Sequence, residues 1–247
     1  MNLKVCVSGK KVDMDFARRI ALKFQTEVTS EIPDDKYAKY FLIDKSGVSF
    51  ISGKQELKGD FLKMLPRVTG GHLAHEILFK AAKPLKEKDN LKGVDCTAGL
   101  GEDSFLLAAY GYEMELFEHN PITAVLLNDA LIRARQDARL KDIAKRMTLT
   151  EGDSKELLKK LNYKPDLIYL DPMFPEKKKS AETKKKLQVL HQIEAVCSDE
   201  EELLAAAKLA NPDKIVIKRP PEGAYLGGLT PSFSVTRKAV RFDCLVL

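Results

Sequence analysis

The string Tyr169-Leu170-Asp171-Pro172-Met173-Phe174-Pro175 holds the residues best suited to chemistry. It includes the end of a short apolar run, Leu167 to Leu170, that reads as a strand, so Asp171 falls where a strand ends. An exocyclic amine on a nucleobase has its lone pair delocalised into the ring and is a poor nucleophile. The Asp171 carboxylate and the Pro172 carbonyl can accept both amine hydrogens, which favours charge growing on the nitrogen as an electrophile arrives. Phe174 can stack on the base and fix its angle. Pro172 restricts its own φ and biases Asp171 away from helix, holding the loop open. The same residues also suit a tight strand-to-loop exit with Phe174 in the core.

Three other loops bear on that choice. In Asp95-Cys96-Thr97-Ala98-Gly99-Leu100-Gly101-Glu102-Asp103 a strand ends, two glycines turn the chain and a helix begins. Glycines there let a ligand approach the backbone, or simply make the turn. The third glycine of a dinucleotide fingerprint is missing, since Ser104 stands in its place. Glu118, at the end of the next strand and ahead of His119-Asn120-Pro121, can accept two hydrogen bonds from a ribose diol, or can cap the following helix. Gly152-Asp153-Ser154 follows another strand, and Asp153 can accept an adenine amino group or act as an ordinary N-cap. Lys177, Lys178, Lys179, Lys184, Lys185 and Lys186 come directly after the Asp171 string. A lysine run is usually a solvated face, but beside an aromatic base platform it suits an RNA backbone. Lys218 and Arg219 add positive charge at the same sheet edge.

Such loops act together only if a scaffold gathers them. From about Leu91 the pattern is strand, loop, helix, repeated: strands at 93–96, 114–117, 147–150, 167–170 and 214–217, helices at 103–110, 121–135, 154–161 and 203–209, and last strands at 234–236 and 242–246. This predicts an α/β fold with a mostly parallel sheet covered on both faces, whose ligands bind at the carboxyl ends of the strands. Residues 1–65 read as a small α/β unit ahead of a catalytic unit at 66–247. It has a strand at 3–7, a helix at 12–28 with Phe16, Ile20 and Phe24 on one face, and a hairpin across Asp44-Lys45-Ser46-Gly47. Arg67-Val68-Thr69-Gly70-Gly71-His72 then leads into a predicted helix at 73–82; the glycine pair can meet a phosphate or make a plain turn.

Composition fits this reading. The chain has 247 residues, 44% of them hydrophobic, and a net charge of +5, which is enough for a sizeable core and mildly basic. No apolar run reaches membrane-spanning length, and residues 1–10 do not read as a secretory signal. The four cysteines are scattered, which argues against a disulfide framework or a cysteine metal site and for a reducing cytoplasm.

From Arg67 to the C-terminus the chain resembles the ribosomal RNA small subunit methyltransferase J family. The resemblance rests on Asp95 to Gly101, Glu118 to Pro121, Tyr169 to Pro175, Lys179-Ser180-Ala181, Val216 to Pro220 and Arg241-Phe242-Asp243. Asp171 to Phe174 is also similar to the [Asp/Asn/Ser]-Pro-Pro-[Tyr/Phe] signature of amino-group methyltransferases, with Met173 in place of the second proline. The resemblance implies a Rossmann-like class I methyltransferase fold with S-adenosyl-L-methionine as cofactor. It implies N2-methylation of one guanine near the 3′ end of 16S rRNA, guanosine 1516 in the conventional numbering, in bacterial cytoplasm. It also implies 16S rRNA or the small ribosomal subunit as partner, with no membrane and no metal. Carried over by position, Glu102 and Asp103 hold the cofactor at the glycine loop, Glu118 and His119 flank its ribose, and Asp153 and Ser154 lie by its adenine. Asp171 sits between cofactor and target base, with Phe174 beside it. Glu102 and His119 stand where arginine is common in the family, which favours a backbone role at both.

Two other readings use the same sheet: a nicotinamide- or flavin-dependent oxidoreductase, and a non-catalytic RNA-binding or ribosome assembly factor. The absent third glycine and the Asp171 string oppose the first. The acidic set at 118, 153 and 171 opposes the second. The bare motif does not exclude an adenine- or DNA-directed methyltransferase; the family resemblance does.

Overall fold

The computed structural model describes residues 3–10, 12–35, 37–172 and 200–247. Met173, Phe174, Pro175, the lysines from Lys177 to Lys186 and Cys197 lie outside the described residues.

The described residues build two sheets. The first has five strands: β1 (Lys4–Val7), β2 (Val28–Thr29), β3 (Lys39–Asp44), β4 (Gly47–Ser52) and β5 (Gln55–Leu57), in the order β2-β1-β3-β4-β5. Helix α1 (Met14–Lys23) joins β1 to β2 and buries Phe16, Ala17, Ile20 and Ala21. It stops well short of the predicted end at 28. Gln25 takes a positive φ of 52°, and Thr26 N–H bonds back to the Ala21 carbonyl. The β-branched Val28 and Thr29 then pair in parallel with Val5 and Cys6.

The connection to the second sheet holds α2 (Leu65–Val68) and α3 (Ile77–Ala82). The helix predicted at 73–82 is broken. His72–His75 form a 3-10 turn and Glu76 is extended, at φ −70° and ψ 121°. Arg67 accounts for the break: its Nε and Nη2 donate to the two Glu76 oxygens at 2.6 and 2.7 Å, which draws this side chain towards α2.

The second sheet follows the predicted alternation: β6 (Lys92–Asp95), α4 (Glu102–Tyr110), β7 (Glu113–Glu118), α5 (Pro121–Gln136), α6 (Lys141–Ala144), β8 (Met147–Glu151), α7 (Ser154–Leu158), β9 (Leu167–Leu170), α8 (Glu200–Leu209), β10 (Lys214–Arg219), β11 (Phe233–Arg237) and β12 (Val240–Val246). Their order is β11-β12-β10-β9-β6-β7-β8. Strands β6 to β10 are mutually parallel, and β12 runs antiparallel to both its neighbours. All four residues of β9 are buried, as a strand covered on both faces requires. β9 therefore lies at the centre and delivers Asp171 to the middle of the carboxyl edge. Among the described residues, no helix is long and apolar enough to cross a membrane.

The two sheets share one cluster of side chains. Val5, Ile20, Phe41, Phe50 and Leu57 pack with Leu100, Ile122, Val125 and Leu126 of the glycine loop and α5. Arg133 on α5 locks the contact: its Nε donates to Asp129 at 2.8 Å and its Nη2 to the Gly59 carbonyl. Arg133→Ala leaves the buried Asp129 carboxylate without this ion pair. The change is expected to cost about 2–3 kcal/mol, less than a fully buried pair because Arg133 is partly exposed, and to read out as a lower urea midpoint.

Candidate active site

The glycine loop takes its shape from the acid at the end of β6. Asp95 is 1% exposed and accepts from Thr97 N–H at 2.9 Å and from Ser104 Oγ at 2.5 Å. Burial, with help from the charges of Asp103 and Asp171, pushes its pKa up to about 7 against those hydrogen bonds. Gly99 and Gly101 both have positive φ, for different reasons. A Cβ at Gly101 would come within 2.8 Å of Leu127 Cδ1, so packing demands glycine there. A Cβ at Gly99 would meet only the Thr97 carbonyl, at 3.9 Å, so this side of the loop is open to a ligand.

Glu118 ends β7 with its side chain almost fully buried. Its Oε2 accepts from Gly99 N–H and its Oε1 from Asn120 N–H, each at 2.7 Å. Asn120, not Glu118, caps α5, accepting from Ile122 and Thr123 N–H. Burial raises the Glu118 pKa to about 7 despite the backbone bonds. His119 points outward, 63% exposed, with Nδ1 3.6 Å from Glu118 Oε1. Asp153 is exposed and caps α7, accepting from Lys155 N–H at 2.8 Å. Ser154 is buried and donates to the Cys96 carbonyl at 2.5 Å, tying α7 to the glycine loop.

Asp171 completes the edge. Its N–H donates to Thr97 Oγ1 at 2.6 Å, which ties the loop after β9 to the glycine loop. Its Oδ2 accepts from Lys218 Nζ at 2.8 Å, and the same ammonium donates to Asp103 Oδ2 at 2.6 Å. Tyr169 OH also donates to Asp103 Oδ2, at 2.6 Å. Burial raises the Asp103 pKa, but Lys218 and Tyr169 outweigh it and hold the carboxyl below its ordinary value. Burial pulls the Lys218 pKa down, and the two carboxylates more than reverse that. Glu102 opens α4 beside Asp103, within electrostatic reach of Arg67.

The structure thus brings the ends of β6, β7, β8 and β9 to one rim, joined by Gly99 to Glu118, Ser154 to Cys96 and Asp171 to Thr97. Lys218 and Arg219 stand at the carboxyl end of β10, the sheet edge where the sequence places positive charge, and the structure adds the partners of each. Lys218 lies between two carboxylates, while Arg219 is buried and bonds to the Ala224 carbonyl and Glu200. Thr97 and Tyr169 are site residues that the motifs contain but that sequence reasoning gave no role. A hydroxyl inside a glycine loop and a lone tyrosine in a buried strand were the available signals.

A parallel sheet in this order, with its last strand reversed between two neighbours and acids gathered at the carboxyl ends, defines a class I, Rossmann-like S-adenosylmethionine-dependent methyltransferase. The family model described as "Putative SAM-dependent methyltransferase" matches residues 47–247. A ribosomal RNA small subunit methyltransferase J from Chromobacterium violaceum is 35% identical over 95% of this chain and 93% of its own. Its namesake from Tolumonas auensis is 40% identical over 66% of each chain. The crystal structure of a SAM-dependent methyltransferase from Neisseria gonorrhoeae superposes with a TM-score of 0.76 at 28% identity, covering 98% of this chain and 95% of that one. The chain belongs to the ribosomal RNA small subunit methyltransferase J family, and its cofactor is S-adenosyl-L-methionine. The site fits that group: Gly99 leaves the loop open, and the surrounding acids suit a cationic ligand bearing hydroxyl and amino donors.

Proposed function

We propose that this chain methylates the exocyclic N2 of one guanine in 16S rRNA, guanosine 1516 in the conventional numbering, acting in the cytoplasm on the RNA or the small ribosomal subunit. The carrying observation is the double fixing of Asp171, by its N–H on Thr97 and its carboxylate on Lys218, beside the glycine loop. The relatives' name supports the ribosomal substrate.

When bound, S-adenosylmethionine supplies an electrophilic methyl group on a sulfonium. The protein's work is orientation and charge stabilisation, with no covalent enzyme intermediate. Asp171 and the Pro172 carbonyl accept the amine hydrogens as charge develops on nitrogen, and the proton leaves to Asp171 or to water. Phe174 stacks on the base, which is splayed out of its stack. Glu118 accepts the ribose diol, with His119 at its flank. Glu102 and Asp103 hold the cofactor at the glycine loop, and Asp153 and Ser154 bound its adenine.

The test incubates the protein with tritiated cofactor and small subunits lacking their late methylations, then digests the RNA to nucleosides. Label in N2-methylguanosine is expected. Label in an adenosine, or none in RNA under conditions where the cofactor binds, overturns the reading.

Glu118 also makes cofactor affinity depend on pH. Ribose hydroxyls donate to the charged carboxylate, so binding favours ionisation of a group whose free pKa is raised to about 7. Asp95 and His119 are its charged and titratable neighbours. Affinity is expected to rise by up to about tenfold per pH unit from pH 5.5 towards 7, then level off, with proton release detected by calorimetry in buffers of different ionisation heat. Stability of the free protein moves the other way. The folded state keeps this proton above the ordinary carboxylate pKa, so the Glu118 contribution falls as pH rises through the same window.

A further inference from the structure

We infer that Lys218 is a positioning residue for methyl transfer, acting through the Asp171 carboxylate by holding it in register with Asp103. The inference rests on the role given to Asp171 above. Strand register brings these groups together. β10 lies beside β9 with Ile217 opposite Leu170, so Lys218 follows on one strand just as Asp171 follows on the other. The ammonium reaches Asp171 Oδ2 at 2.8 Å and Asp103 Oδ2 at 2.6 Å, linking β10, the loop after β9 and the first turn of α4.

The far end of this row is rigid. Asp103 also accepts from Tyr169 OH at 2.6 Å, and Tyr169 is 1% exposed. The Asp171 main chain is held separately, by Thr97. Lys218 acts on the other part of the residue, the side-chain carboxylate, whose rotation it restricts. Charge points the same way. Asp95, Asp103 and Asp171 lie within electrostatic reach of one another. Among the described residues, Tyr169 and Arg67 also face this cluster, and Arg67 is engaged by Glu76. Among the described residues, Lys218 is the cation that touches two of the three acids. Without it, Asp103 would repel the Asp171 carboxylate and turn it from the geometry a weakly nucleophilic amine requires.

The experiment is a double-mutant cycle on the full chain, with Lys218→Met, Asp171→Asn and the pair together, assayed by methyl transfer to undermodified small subunits. Lys218→Met is expected to lower kcat about 30-fold while the KM values for cofactor and RNA stay within about threefold. In the Asp171→Asn background the same change is expected to cost less than about twofold, because the group through which it acts has lost its charge. Losses that multiply would overturn the inference. So would a loss confined to the RNA KM with an altered salt slope, which would make Lys218 a phosphate contact. If Lys218→Met does not fold, Lys218→Gln takes its place in the cycle. An inactive wild type would refute the proposed function itself, whereas an active wild type with multiplying losses removes only the role of Lys218.

Discussion

Asp171→Ala is expected to slow methyl transfer about a thousandfold, the scale on which a group matched to transition-state charge acts, and to leave the fold intact. The two halves of that expectation have separate grounds. The side chain is about one-third exposed, and the bond joining this loop to Thr97 comes from the Asp171 backbone, so alanine keeps it. Lys218 retains Asp103 as a partner, so no buried ammonium is stranded. The substrate amine, however, loses the acceptor that favours positive charge on its nitrogen. Asp171→Asn keeps the shape and one carbonyl oxygen without the charge, and is expected to lose about a hundredfold. Initial rates with labelled cofactor and undermodified subunits give the loss. Circular dichroism melts and calorimetric cofactor binding establish that structure and cofactor site survive. Turnover within a few-fold of wild type would end the assignment of Asp171 as the acceptor.

How much of this was legible in the sequence depended on whether the deciding interaction was local. β9 was readable to the residue, because Leu167 to Leu170 is an unbroken apolar run between Asp166 and Asp171, and burial on both faces demands that. The position of Glu118 and Asp171 at the carboxyl edge was readable because Glu118 ends one strand of a parallel sheet and Asp171 directly follows another. The helix predicted at 73–82 failed because Glu76 is drawn into a pair with Arg67, nine residues back, which no periodicity reports. The helix predicted at 12–28 ran too long because Val28 and Thr29 belong to an edge strand fixed by pairing with β1. Lys218 read as one more basic residue because its partners are set by the register of β10 on β9 and by the start of α4, which lies more than a hundred residues away in sequence. Ser154 is similar: its hydroxyl is committed to a carbonyl of the glycine loop, a tie visible only in three dimensions.

Glu118→Ala is expected to weaken cofactor binding about 300-fold, and most of that loss belongs in Kd rather than in the rate at saturation. A carboxylate accepting from both hydroxyls of a ribose makes two charge-assisted hydrogen bonds, each worth about 1.5–3 kcal/mol, and about 1.4 kcal/mol is a tenfold change in affinity. The side chain has a second task that partly offsets a simple reading. Its two oxygens hold Gly99 N–H and Asn120 N–H at 2.7 Å, so alanine frees the glycine loop as well as removing the ribose acceptor. Removing a buried carboxylate also relieves a desolvation cost, the cause of its raised pKa, so the stability loss is expected to stay near about 1–2 kcal/mol. Asp171 is held by Thr97 and Lys218, whereas Glu118 holds Gly99 and Asn120, and kcat at saturating cofactor is therefore expected to remain within about tenfold of wild type. Glu118→Gln keeps one acceptor oxygen and places an amide donor against a backbone N–H, so its affinity should fall between the two. Calorimetric titration of all three proteins at pH 7.5 decides the matter. Unchanged affinity in Glu118→Ala would mean that the ribose is held elsewhere and that Glu118 serves only to shape the loop.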